Sequence, residues 1–167
     1  MDGKDVLTEA FGRLPDLVRR GVEGLTPEQL RRAPAGGVNT VGWLVWHLTR
    51  VQDSHIAELL DAEQIYVTGQ WASRFGLKES PSDTGYGYTP AQVAMVAPES
   101  WQVLVDYHQA VHARTMEYLG GLRDADLDRV VDEAWDPPVT LGVRLVSVLN
   151  DDTQHVGQAA FLRGMLQ

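Results

Sequence analysis

The chain contains no cysteine, and this absence removes several classes of function at once. A disulfide framework, a thiolate zinc site and a cysteine nucleophile are all excluded. The lack of cysteine is also common in proteins of a reducing compartment, so it is consistent with a cytoplasmic location.

Long apolar runs and positive charge are scarce as well. No run approaches the roughly 18 apolar residues that cross a bilayer. The first residues, "MDGKDVLTEAFGRL", lack the basic and apolar regions of a secretion signal. With 14 basic and 23 acidic residues, the net charge is −9, which disfavours binding to nucleic acids and to anionic membranes. We therefore expect a soluble cytoplasmic protein with neither a nucleic-acid nor a membrane partner.

Alternating β patterns longer than four residues are also missing, whereas four segments repeat apolar residues every three or four positions, as helices do. The first segment covers residues 6–25 and should kink or break at Pro15. Two short helices are predicted by capping boxes that begin at Thr26 and Thr89.

The other three long helices follow from the same periodicity. The second should begin with Asn39 as its cap, the third should run from about Glu99 to Leu119, and the last should start near Thr140. A chain of 167 residues fits one domain, and its pattern predicts an all-α four-helix bundle over residues 1–167.

Residues 62–97 form a long connection between the second and third helices. The connection is rich in Gly, Tyr, Ser and Pro and contains the stretch "DTGYGYTP". Loops of this length inside a domain are usually functional or mobile. We expect this one either to line a pocket mouth or to serve only ordinary loop packing.

The last helix carries two polar side chains on a face that otherwise looks buried. At 100° per residue, Asp151 and His155 share a stripe with Val148, Ala159 and Leu162. A carboxylate buried without a partner is costly, so Asp151 needs a cation, hydrogen-bond donors or water. A pair formed only between Asp151 and His155, or an N-cap within "NDDT", would also explain the pattern.

The second helix adds an inward-facing histidine. His47 lies near Thr40 and Trp43 on the helical wheel. One such histidine is more often a core residue than a ligand, but two histidines and a carboxylate on facing helices are typical of metal sites in bundles. Three such ligands leave coordination positions open, as catalytic zinc sites do. We therefore predict a metal site formed by His47, Asp151 and His155.

Two further histidines offer an alternative site. His108 and His112 are one turn apart on the apolar face of the third helix and could bind a metal with His47 or His155. This alternative brings no carboxylate, and both side chains could simply border the core. His55, two turns after His47, is expected at a pocket edge or on the surface.

The two halves of the predicted site resemble the DinB-like (damage-inducible) superfamily. The resemblance is carried by "NTVGWLVWHLTRVQD", with His47 followed by Leu48, and by the distant "NDDTQHVGQAAFLRG". In the family, a His on the second helix is joined by a ligand on the last helix and, four residues later, by a His in an HxGQ or HRGQ context. Residues 155–158, "HVGQ", match this context, and Asp151 takes a position that is commonly His or Glu.

The resemblance implies more than the residues alone. It implies a DinB-like four-helix bundle, often dimeric, that holds a divalent ion with His47, Asp151 and His155; we expect zinc, with nickel or another divalent ion as alternatives. Relatives in this superfamily include mycothiol-dependent maleylpyruvate isomerase and the bacillithiol and mycothiol S-transferases. A metal deprotonates a bound thiol, so the ion would activate a low-molecular-weight thiol toward a small electrophile. The lack of cysteine fits, because the cosubstrate would bring the sulfur.

Three functions stay open from the sequence. The first is a metal-dependent thiol S-transferase or isomerase, and the second is a non-catalytic DinB-like metal-binding or stress-associated module. The third is a metal-dependent hydrolase that uses water as the nucleophile. The sequence assigns no catalytic side chain. Arg50, Arg74 and Arg144 are each either partners for an anionic cosubstrate or ordinary surface and ion-pair arginines.

Overall fold

Helices dominate the structure, a computed structural model that describes residues 1–34 and 39–166. The mainly helical prediction is confirmed, and none of the helices in the described ranges is long and apolar enough to cross a membrane. Two short 3-10 helices, Ala72–Phe75 and Asp124–Asp128, accompany the α-helices. The α-helices are α1 (Gly3–Gly12), α2 (Leu14–Val22), α3 (Pro27–Leu30), α4 (Val41–Leu60), α5 (Ile65–Thr68), α6 (Pro90–Val93), α7 (Trp101–Gly121) and α8 (Leu141–Met165).

The first helical segment is broken where the sequence predicts. Helix α1 ends at Gly12, and α2 begins at Leu14 with Pro15 in its first turn. Pro has no backbone N–H to donate, so the first turn of a helix is the one place where it costs no hydrogen bond. The two helices together cover most of the first predicted segment, residues 6–25.

The start of α4 differs from the prediction. The predicted cap, Asn39, is wrong, because the hydroxyl of Thr40 accepts the hydrogen bond from the backbone N–H of Trp43 at 3.0 Å. Both residue types cap helices well, and periodicity alone does not separate neighbouring caps. The capping boxes at Thr26 and Thr89 form as predicted.

The long helices pack around a shared interior. Helix α4 contacts α7 and α8, and α2 contacts the same two helices and α4. Two apolar clusters fill the interior. Leu44, Leu48, Val103, Val111 and Val156 belong to the first, and Phe11, Ile56, Leu119, Leu145 and Val148 belong to the second.

A polar layer separates the two apolar clusters. On α4, Gln52 lies one turn from Leu48 and one turn from Ile56, and its amide donates to the hydroxyl of Thr115 on α7 at 2.7 Å. On α8, Asp152 takes the equivalent place, fully buried, and neither of its carboxyl oxygens has a partner among the described residues. Burial raises the pKa of Asp152 well above its usual range, which favours the neutral acid.

A small antiparallel sheet lies in the connection between α7 and α8. Strand β1 (Val130–Asp132) pairs with β2 (Val139–Thr140). The sequence does not predict this sheet, because strands of three and two residues are too short to show alternation. Helix α8 follows β2 directly and is capped by Thr140, in agreement with its predicted start.

Candidate metal centre

His47 is held from two sides on α4. Its ring stacks on Trp43 with a centroid distance of 4.6 Å, and its Nδ1 lies 2.5 Å from the backbone oxygen of Thr84. A carbonyl oxygen only accepts hydrogen bonds, so Nδ1 carries the proton and Nε2 keeps its lone pair. This arrangement, with one ring nitrogen fixed by a carbonyl and the other free to bind, is typical of metal-binding histidines.

Helix α8 brings the other two side chains. The Nδ1 of His155 is 3.0 Å from Oε1 of Gln158, which leaves its Nε2 directed toward Oδ1 of Asp151 at 3.5 Å. The second carboxyl oxygen of Asp151, Oδ2, is buried and has no partner among the described residues. The Gln of the "HVGQ" stretch thus orients the histidine three residues before it.

These three side chains converge on one point. One ligand atom each from His47, Asp151 and His155 lies within 4.8 Å of the other two, and no other group of three such residues forms within the described ranges. In a tetrahedral site with bonds of about 2.0–2.1 Å, ligand atoms stand roughly 3.4 Å apart. The side chains would need only small shifts to meet a common ion.

The chemistry of the donor set fits a divalent cation. Burial lowers the pKa of His47, which keeps that ring neutral, whereas the hydrogen bond to Asp151 raises the pKa of His155. Nε2 of His155 and Oδ1 of Asp151 face each other, and a cation between them would satisfy both the lone pair and the carboxylate. With both rings neutral, the donor set has a charge of −1 and suits a doubly charged ion.

The position of Asp151 differs from the helical-wheel expectation. The buried stripe of α8 runs through Val148, Asp152 and Val156, so Asp152 rather than Asp151 lies at its centre. Asp151 and His155 lie at the edge of the stripe and are half-buried. At the edge of the stripe, Asp151 can face both His47 on α4 and solvent. An ion bound there would therefore be accessible to small molecules from solution.

The alternative histidine pair does not meet a carboxylate within the described residues. The rings of His108 and His112 stack with centroids 6.0 Å apart on α7. His108 is fully buried, and this burial lowers its pKa to about 3. Neither of its ring nitrogens has a partner among the described residues, so nothing orients it as a ligand.

A buried ion pair anchors the long connection to α4. The guanidinium of Arg50 has no solvent exposure and donates to the backbone oxygens of Pro81 at 2.9 Å and Asp83 at 3.2 Å. Asp53, 3.6 Å from Arg50, accepts from Tyr107 and from the backbone at the start of α5. Arg50 is therefore enclosed and not available to a cosubstrate. Sequence reasoning missed this role, because nothing in the spacing shows which loop reaches which arginine.

Gly85 lets the loop approach the histidine. Its φ is +86°, and a Cβ placed there would lie 2.6 Å from Trp46 and 3.4 Å from His47. Only glycine combines that backbone conformation with so close an approach. The "DTGYGYTP" stretch, which the sequence marks as a pocket or packing segment, thus delivers the carbonyl of Thr84 to His47.

A cavity opens beside the three side chains. Its volume is about 380 Å³, and it runs along the seam between α4 and α8. His55 lies on its wall, in agreement with the predicted pocket edge. Its lining comprises His47, Val51, Ser54, His55, Thr84, Tyr86, Ser147, Val148 and Asp151.

The fold and site define a mainly helical protein with a candidate His-Asp-His metal centre. A family model for the DinB superfamily matches residues 10–159, and the chain belongs to that superfamily. The chain is also similar to a conserved protein from Enterococcus faecalis whose crystal structure is known. The two share 31% sequence identity with a TM-score of 0.88, over 98% of this chain and 96% of the other. No match was found among curated proteins.

Proposed function

We propose that the protein binds one divalent ion through His47, Asp151 and His155 and that, with this ion, it acts as a thiol S-transferase or isomerase. The observation that carries the proposal is the convergence of three ligand atoms within 4.8 Å of one another, two of them from residues that line a cavity, His47 and Asp151. Catalytic metal sites keep a position open for substrate, and a site with three protein ligands does so.

The chain's own residues prepare the site for an anionic ligand. Two neutral histidines and one carboxylate leave a charge of +1 on a divalent site, which favours a thiolate. When bound, the ion would supply the positive charge that keeps a thiol deprotonated at neutral pH. Trp43 covers the face of the His47 ring and excludes water from that side.

One feature of the cavity favours a thiol over water as the nucleophile. A hydrolase is helped by a general base close to the ion. His55 is the other histidine of the cavity wall, but its Nδ1 accepts from Arg144 at 2.8 Å, so its Nε2 carries the proton. Asp152 faces the interior and is fully buried. Neither group is placed to take a proton from water, and a thiol held as its anion needs no base.

Several finer features belong to the same proposal. We propose zinc as the ion, mycothiol or a similar small thiol as the cosubstrate, a four-helix bundle formed by α1–α2, α4, α7 and α8, and a cytoplasmic homodimer. The cysteine-free chain supports a reducing compartment, the two histidines and one carboxylate support zinc, and the packing of the long helices supports the bundle. The thiol and the homodimer rest on the resemblance to the superfamily. A non-catalytic metal-binding module and a hydrolase are the alternatives that the experiment below separates.

The test is metal analysis of untagged protein followed by a thiol-consumption assay with a panel of electrophiles. We expect about one divalent ion per chain, lost in His47→Ala and His155→Ala but kept in the matched control His112→Ala. Activity should need the ion and the thiol together. Metal-dependent cleavage of an ester or amide without thiol would replace the transferase with a hydrolase, and metal binding without any turnover would leave the non-catalytic module.

A further inference from the structure

The cavity beside the metal centre extends well past the three ligands. His55 lies eight residues after His47 on α4, and Arg144 lies seven residues before Asp151 on α8. At 1.5 Å per residue, both separations correspond to about 10–12 Å along the seam. The seam therefore has the metal centre at one end and a His55–Arg144 pair at the other.

Arg144 fixes the tautomer of His55. Its Nη1 donates to Nδ1 of His55 at 2.8 Å, and an arginine has no acceptor, so the proton of the neutral ring lies on Nε2. Burial lowers the pKa of His55, which keeps the ring neutral. Nδ1 also lies 3.5 Å from Oε2 of Glu58, on the same side of the ring as Arg144. The side chain is 34% exposed and forms part of the cavity wall, which thus carries an imidazole whose N–H is on Nε2.

The charges around this donor favour a neutral acceptor. The positive charge of Arg144 is paired with Asp132 at 2.7 Å and with Glu58 at 3.5 Å. One cation and two carboxylates leave the group with a charge of −1. A third carboxylate, brought by the ligand, would be repelled there, whereas the oxygen of an amide or ketone accepts a hydrogen bond without that cost.

We propose that His55, held by Arg144, binds a neutral carbonyl oxygen of the thiol cosubstrate, about 10 Å from the sulfur. This inference rests on the proposed function, because the sulfur end lies at the metal centre. It narrows the cosubstrate to an elongated thiol that carries an amide or ketone group. Ser54 and Ser147 line the cavity between the two ends and leave room for polar substituents.

The experiment is an NMR titration that follows the ring nitrogens of His55 in metal-free and zinc-loaded protein. The probes are 6-mercaptohexanamide, its charged analogue 6-mercaptohexanoate and the shorter 3-mercaptopropionamide. We expect the long amide to shift the Nε2 signal of His55 and to bind about three- to tenfold more tightly than the other two, as one added hydrogen bond would give. His55→Phe should abolish this preference, and the control His112→Phe should keep it.

The outcomes separate this inference from the proposed function. Equal affinities for the three probes, or a His55 signal that does not move, would overturn the inference. A shifted His55 signal with the same affinity in both forms of the protein would support the carbonyl site and count against the metal-dependent function. If His55→Phe does not fold, the signal of the unsubstituted protein decides the question.

Discussion

Helix α4 contributes to two polar groups within two turns of each other, the Arg50–Asp53 pair and the cluster around His47. The first has hydrogen-bond partners for its charged atoms, and the second does not have them all. Arg50 and Asp53 have no solvent exposure, and their charged atoms meet backbone oxygens, backbone N–H groups and the Tyr107 hydroxyl. The group around His47 lies at the edge of a cavity. Its histidines are oriented, yet Asp151 keeps a buried oxygen without a partner among the described residues.

The difference separates a structural polar group from a candidate binding site. A buried charge is tolerated when its partners are complete, and the complete group then fixes the structure around it. A group whose side chains are oriented but whose acceptor atoms are not all paired can use those atoms to bind a ligand. In this protein the first group holds the long connection, and the connection in turn holds His47 through Thr84.

The largest expected effect comes from breaking the complete group. Arg50→Met should lower the free energy of unfolding by about 3–5 kcal/mol, because it leaves the Asp53 carboxylate buried without its cation. Arg74→Met is the matched control. It breaks the partly exposed pair with Glu99, so we expect a loss of about 1 kcal/mol or less. Urea unfolding monitored by circular dichroism measures both, and equal losses would contradict the distinction.

The loop connects the two groups, because Arg50 anchors it and its Thr84 carbonyl contacts His47. This connection can be tested at the glycines of the loop. Gly85→Ala should cost about 2–3 kcal/mol of stability and weaken zinc binding, because the added methyl meets Trp46 and displaces the Thr84 carbonyl. Gly87 also has a positive φ, +71°, but a methyl there meets nothing within 4 Å. Gly87→Ala should therefore cost about 1 kcal/mol and leave zinc affinity unchanged. Zinc titration calorimetry would reject this account if both variants bound zinc equally well.

His108 represents a third case, a fully buried polar group whose ring nitrogens have no hydrogen-bond partner among the described residues. Its folded-state pKa of about 3 is below the ordinary value of 6.5. Between these two pH values the unfolded chain binds a proton at this residue and the folded protein does not. Stability should therefore fall as the pH decreases below 6.5, by about 2 kcal/mol between pH 6.5 and 5. His108→Leu should remove this part of the slope. Unfolding in the presence of a chelator at several pH values measures it, and parallel slopes would contradict the assignment.

The smallest effect is expected outside the core, at the residue that orients His155. Gln158→Ala should weaken zinc binding about tenfold, because it removes the acceptor that fixes the ring. Gln158 is exposed, so the melting temperature of the metal-free protein should not change. Gln154→Ala, an exposed glutamine one residue before His155, is the matched control. A lowered melting temperature for Gln158→Ala alone would indicate a structural role instead.

Local signals in the sequence account for much of the helical framework. The break at Pro15 and the capping boxes at Thr26 and Thr89 depend on residues that are neighbours in the chain, and these features were predicted correctly. The cap of α4 was assigned one residue too early, because Asn39 and Thr40 are both suitable caps. The small sheet was missed because its strands are too short.

The candidate site was predictable only in part. Spacing selected His47, Asp151 and His155, which lie close together, although Asp151 and His155 are at the edge of the buried stripe of α8 and not within it. The carbonyl of Thr84, however, lies 37 positions after His47, beyond the end of α4 and in the long connection, and no side-chain pattern marks a backbone acceptor. The role of Arg50 is hidden for the same reason. Sequence patterns report helix faces well and loop paths poorly.

The central claim is that His47, Asp151 and His155 bind one divalent ion. Crystals grown with zinc and measured on both sides of the zinc absorption edge test it most directly. We expect one anomalous peak per chain, about 2.0–2.2 Å from Nε2 of His47, Nε2 of His155 and a carboxyl oxygen of Asp151, with a further position open toward the cavity. A peak at His108 and His112 instead, or no peak at the three residues at saturating zinc, would contradict the account.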